Sequence, residues 1–168
     1  MPIIRYGNAL LRKKSKKISV MDQESKELGE KLIRVMLQHN GLGLAAVQIG
    51  IPKRMIAVNA ELVQKDAGII VLGDPEIIEQ KGTSSEEEGC LSVPGIYEKV
   101  KRAEEVLVEG INIDGMKVRI RSKGYIARAF QHEIDHLNGI LFLDRLSFIK
   151  KIGASVKLVK ERTARKTR

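Results

Sequence analysis

Positions 131–136 read QHEIDH, two histidines four residues apart with a glutamate directly after the first. On an α-helix, residues four apart are stacked neighbours, so His132 and His136 can aim both imidazoles at one ion. Glu133 then lies about 100° round the same turn, near that ion without being forced onto it. A base that takes a proton from an ion-bound water belongs in that place. A lone histidine would be read as part of a solvated face; the paired spacing inside a well-bounded helix points to a metal.

A catalytic metal site usually has three protein ligands and a water. The chain has three histidines, and the remaining one, His39, continues a stripe of Leu28, Leu32 and Val35 that should face the core. Asp144 and Glu161 follow His136 in no telling context. Cys90 is the better candidate. A single cysteine is more often a small buried hydrophobe, but in EEEGCLSVPG it stands where a strand edge could present a thiolate. Tyr125, Ala129 and His132 are spaced i, i+4, i+7 and share a helix face. Ala129 is small enough to leave room for an unbranched apolar side chain beside the ion. Gly41 and Gly43 allow close backbone approach, as a site for extended peptide requires. Gln48, taken alone, reads as an ordinary surface glutamine, and Asp135, about 100° off the metal face, as a structural hydrogen-bonder.

These groups need elements to position them. Asp22 is a suitable N-cap for a helix over 24–39 that stops at Asn40-Gly41. GLGLAAVQIG reads as a tight loop or irregular strand. Strands are expected at 55–60 and 69–73, the second broken by Asp74-Pro75. EIIEQKG and SSEEEGCLSVPG form the next unit. A hairpin around Asp114-Gly115 follows over 106–122, then the metal helix over 124–138. A third helix closes the chain, with Phe148, Ile152, Val156 and Val159 packed on the body and Lys150, Lys151, Lys157, Lys160 and Arg162 outward. The expected class is α+β, one domain over 1–168, with mixed or antiparallel sheets around a central HExxH helix and a basic C-terminal helix at about 150–168.

Hydrophobic residues make up 43% of the 168 positions and charged residues 30%, ordinary for a globular protein. No apolar run approaches the ~18 residues of a membrane span. One cysteine excludes an internal disulfide, and a start without a secretory apolar core points to the cytoplasm. The net charge of +9 is uneven: +6 over residues 1–20, +8 over 145–168 and −5 between them. The middle is therefore no generic polyanion binder, and neither DNA nor membrane is an expected partner.

GLGLAAVQIG (41–50), EGCLSVPG (88–95) and QHEIDHLNG (131–139) together resemble the three motifs of the peptide deformylases, in the same order and at similar separations. RYGNALLRKKSKKI and GILFLDRLS extend the resemblance over essentially the whole chain. It implies that Cys90, His132 and His136 hold one divalent ion, Fe(II) in the cell, with nickel, cobalt or zinc possible in purified protein. It implies a hydrolase acting in protein biosynthesis: the N-formyl group leaves the N-terminal methionine of nascent polypeptides as formate. A water on the ion would attack the formyl carbon, with Glu133 as base and then acid. The Gln48 side chain and the Leu91 backbone N–H would stabilise the oxyanion. Glu88 and Arg102 would form a supporting ion pair. In some bacterial relatives a C-terminal helix docks on the ribosome, so the basic tail is expected to meet that surface. Val47 departs from the proline common at its position, without changing a chemical group. On residues alone, a zinc-protease type of peptidase and a closed structural site in an RNA-binding protein remain as alternatives.

Overall fold

The structure, a computed structural model, describes residues 2–166, with side chains through residue 158. Helix α1 spans Gln23–Gln38, and Asp22 caps it by accepting from the Ser25 N–H at 2.8 Å. Leu28, Leu32, Val35 and Met36 are all buried at helical spacing. The helix ends one residue before His39, which is exposed rather than core-facing, and Asn40 turns the chain with φ of 51°. His39 extends the stripe in sequence, but the helix that would carry it inward has already stopped.

Strands β1 (Gly43–Ala45), β2 (Met55–Asn59), β3 (Ile69–Lys81), β6 (Glu105–Ile111) and β7 (Lys117–Lys123) form one antiparallel sheet in the order β1-β2-β3-β6-β7. A 3-10 turn over Ala46–Ile49 follows β1. β3 runs through Asp74-Pro75 instead of breaking there. The register slips between Gly73 and Glu76, Asp74 takes φ of 44°, and Pro75, which has no N–H, sits inside the irregularity. Arg54 fixes this bulge, donating to Asp74 Oδ1 at 2.7 Å and to the Pro75 carbonyl at 2.9 Å. The expected hairpin is β6–β7, with Gly115 at φ of 83° in its turn.

β4 (Ser84–Cys90) and β5 (Val93–Arg102) form a separate two-stranded sheet. Helix α2 (Gly124–Leu137) crosses the large sheet, burying Ala127, Phe130, Ile134 and Leu137 against Ile56, Val58, Val106 and Val108. β5 packs Val93, Ile96 and Val100 against Phe142, Leu143 and Leu146, which follow α2. The class is α+β, as expected.

In helix α3 (Phe148–Lys166) the apolar stripe faces opposite to expectation, while Lys151 and Lys157 are exposed as expected. Ala154 is buried and Leu158 packs on the β5 cluster, whereas Phe148 is 78% exposed, Ile149 82%, Ile152 52% and Val156 50%. Lys150 reaches inward instead, donating to the Lys99 carbonyl at 3.0 Å and pairing with Glu98 at 3.6 Å. A small residue at 154 lets the helix lie close to β5, which leaves the bulky stripe outside. The side chains of Val159, Lys160, Glu161 and Arg162 lie outside the described residues. No helix among the described residues is long and apolar enough to cross a membrane.

Candidate metal centre

β4 delivers Cys90 from the two-stranded sheet, and α2 delivers His132 and His136 from the large one. The three donor atoms all lie within 4.8 Å of one another. His132 Nε2 and His136 Nε2 are 3.2 Å apart, and Cys90 Sγ is 3.2 Å from His136 Nε2. Four-coordinate bonds of about 2.1 Å to nitrogen and 2.3 Å to sulfur place such donors roughly 3.4–3.6 Å apart. Two of the three separations lie close to that range, and the donor types suit a divalent cation. His132 Nδ1 is 3.0 Å from Glu88 Oε2. With Nδ1–H donating to that carboxylate, the Nε2 lone pair is the one turned toward the other donors.

Charge around the site is arranged in layers. Burial alone would raise the Glu88 carboxyl, but hydrogen bonds from Arg102 and His132 outweigh it and hold it well below the usual carboxylate range. Burial drives His136 far toward its neutral, ligating form. Burial also opposes protonation of His132, but the adjacent Cys90 sulfur and Glu88 carboxylate outweigh it and draw a proton there. Negative charge gathered at this point is what a cation would answer. Burial pushes the Glu133 carboxyl up to about 7, with Glu88 and Asp135 adding to the rise against the pull of His132 and Arg102.

Glu133 is 4% exposed, and its Oε2 has no hydrogen-bond partner among the described residues. Its carboxylate lies against Gly43: a Cβ added there would stand 2.5 Å from Glu133 Oε1. At Gly41 an added Cβ would be 3.1 Å from Leu91 Cδ1. Gln48 is buried, not a surface residue. Its Oε1 accepts from the Ala45 N–H at 2.8 Å, which fixes the amide so that Nε2 faces Ser92 Oγ at 3.2 Å and Cys90 Sγ at 3.6 Å. A cleft of about 400 Å³ opens over these groups, with Ala129 on its wall and Tyr125, 54% exposed, at its mouth. His39 lies on the rim and is not among the three converging donors. Asp144 pairs with Arg12 instead of joining them.

Asp135 lies between the two histidines in sequence and, as expected, is a structural hydrogen-bonder, accepting from both Arg102 and Arg145. Glu88 and Arg102 form the expected ion pair, bidentate at 2.8 and 2.9 Å. Sequence spacing left Arg128 unseen: four residues before His132, it turns its guanidinium into the same buried cluster and donates to Glu88 Oε1 at 2.7 Å. An arginine on the metal face of a helix was the available signal.

A family model described as polypeptide deformylase matches residues 1–152. A peptide deformylase of Halothermothrix orenii is 48% identical over 149 residues, covering 87% of this chain and 95% of that one. One from Wolinella succinogenes is 41% identical over 167 residues, 98% of each chain. Among solved structures, a peptide deformylase from Legionella pneumophila gives a TM-score of 0.89 at 37% identity, covering 99% of this chain and 97% of that one. An Ehrlichia chaffeensis peptide deformylase in complex with actinonin gives 0.87 at 33% identity, covering 96% of each.

Proposed function

This chain belongs to the polypeptide deformylase family, and from that premise we propose that it removes the N-formyl group from the N-terminal methionine of newly made polypeptides in the cytoplasm, releasing formate. One observation carries the reading: Cys90, His132 and His136 converge beside a buried glutamate in an open cleft. In this reading those three residues hold a divalent ion, Fe(II) in the cell and nickel, cobalt or zinc after purification. When bound, the ion supplies Lewis acidity, lowering the pKa of a water and polarising the formyl oxygen.

The remaining steps fall to the chain's own groups. Glu133 accepts a proton from the attacking water and returns it to the departing amide nitrogen. Burial, which raises that carboxyl, helps it hold the proton between the two transfers. Gln48, its NH2 turned toward the Cys90 side of the cleft, and the Leu91 backbone N–H donate to the oxygen on which charge develops. Removing one such donor typically costs ~2.7–4 kcal/mol of transition-state stabilisation. Ala129 leaves space for the methionine side chain, with Tyr125 at the mouth. β1 and β4 are edge strands, and Gly43 and Glu88 from them line the cleft. An extended peptide lying between them can use their free backbone groups.

Formate release from formyl-Met-Ala-Ser, run beside the unformylated peptide, tests this reading. Formate should appear with every peptide bond intact, and Glu133→Gln should lose about 10²–10⁴-fold in kcat while keeping its ion. Peptide cleavage, or full turnover by Glu133→Gln, would refute it. The basic C-terminal helix is proposed to hold the enzyme at the ribosome surface, since Lys150, Lys151 and Lys157 keep part of their charge accessible. Truncation after residue 155, which removes Lys157 and the basic residues beyond it, should weaken low-salt co-sedimentation with ribosomes and leave tripeptide turnover intact.

A further inference from the structure

The donor set is split between two bodies. Cys90 ends a strand of the two-stranded sheet, while His132 and His136 ride on a helix packed against the five-stranded one, and among the described residues no backbone ladder joins the two sheets. Besides the N-terminal segment, which bonds by backbone to Ser92 and to Gln48, side chains set how the sulfur stands against the two rings. Arg128 spans that gap. It lies one helical turn before His132, and its side chain is 5% exposed. Nη1 donates to Glu88 Oε1 at 2.7 Å and to the Val100 carbonyl at 2.8 Å; Nη2 donates to Ser84 Oγ at 2.9 Å and to the Ser84 carbonyl at 3.3 Å. One guanidinium on α2 thus grips the start of β4, the end of β5 and the carboxylate two residues before Cys90.

Glu88 is the other half of the device. Oε1 takes Arg102 Nε and Arg128 Nη1, while Oε2 takes Arg102 Nη2 and His132 Nδ1. The His132 ring donates one of the four bonds, and the other three fix the carboxylate that orients it. Stability alone gives no reason for a guanidinium here, because a well-packed apolar side chain is often at least as stabilising as a buried charge. A lysine could reach one of these partners but not all, since only the planar fork addresses several acceptors at once.

We propose that Arg128 is a positioning residue for the metal centre: through Glu88 it holds the His132 ring, and through Ser84 and Val100 it holds the hairpin that presents Cys90. The proposal rests on the metal reading above. It predicts that Arg128 sets how firmly an ion is held and how its ligand field looks, beyond any effect on folding.

The test uses full-length protein loaded anaerobically with Co(II). Absorption spectra, the rate of Co(II) loss to EDTA, and thermal unfolding with and without metal are compared for wild type, Arg128→Leu, Arg128→Lys and Ser84→Ala. Arg119→Leu, on the exposed face of the β6–β7 hairpin, serves as control. Arg128→Leu should release Co(II) roughly 10–100-fold faster with a shifted thiolate band, and its loaded form should lose more thermal stability than its metal-free form. Arg128→Lys should fall between it and wild type, and Ser84→Ala should release about threefold faster. Wild-type release and spectrum in Arg128→Leu, or equal destabilisation of both forms at an unchanged release rate, overturns the proposal. If Arg128→Leu fails to fold, wild-type release in both other variants overturns it. A wild-type protein that shows no thiolate band overturns the metal reading itself, and this proposal with it.

Discussion

Gly43 and Glu133 form a contact in which one methyl group matters. A Cβ at Gly43 would be 2.5 Å from Glu133 Oε1 and 2.8 Å from its Cγ, so the carboxylate must leave its place. Gly43→Ala should lower kcat at least ~10²-fold, the lower end of what a positioned base contributes, while ion content measured by elemental analysis stays near one per chain. Gly41→Ala should be milder, because the atom it approaches, Leu91 Cδ1, is the end of a side chain that can shift. The histidine pair and Glu133 were legible in the sequence because one helical turn fixes their relation. Cys90 was legible as a candidate, but its distance to the rings depends on how two sheets pack. Ser92 and Arg128 were not read at all. Their contacts to Gln48 and Glu88 span 44 and 40 residues, and no local pattern encodes such pairings.

Among the elements, those with a local signal matched expectation. Asp22 opens α1, and Gly115 turns the β6–β7 hairpin. β3 outran its expectation because Asp74-Pro75 reads as a breaker, whereas Arg54, distant in sequence, holds it as a bulge. The turn after α2 shows a similar long-range clamp. Asp144 caps it through the Leu141 N–H at 2.8 Å and pairs with Arg12 from the N-terminal segment. Burial would raise this carboxyl, but Arg12 and the Leu141 N–H outweigh it and set it below its ordinary 3.8. A depressed folded pKa contributes stability above the unfolded value and loses it as pH falls through the folded one. The urea midpoint of wild type should therefore exceed that of Asp144→Asn at neutral pH, and the difference should shrink steadily once the pH drops below about 4.

Across the whole molecule, charge and apolar surface were harder to place than the site. Periodicity located α3 but could not say which side met the body, because the choice depends on Ala154 fitting against β5. With Phe148 and Ile152 facing outward, the double change Phe148→Ser, Ile152→Ser should alter unfolding free energy by no more than about 0.5 kcal/mol per site, the range for surface positions. An inward stripe would lose several times that. The same outward ridge bears on how the molecules behave in bulk. At low ionic strength a net charge of +9 keeps neighbouring copies apart, but salt shortens the range of that repulsion and leaves the greasy ridge uncovered. Turbidity and light scattering should thus climb as sodium chloride is added, opposite to the ordinary salting-in of a protein, and the Phe148→Ser, Ile152→Ser protein should stay clear.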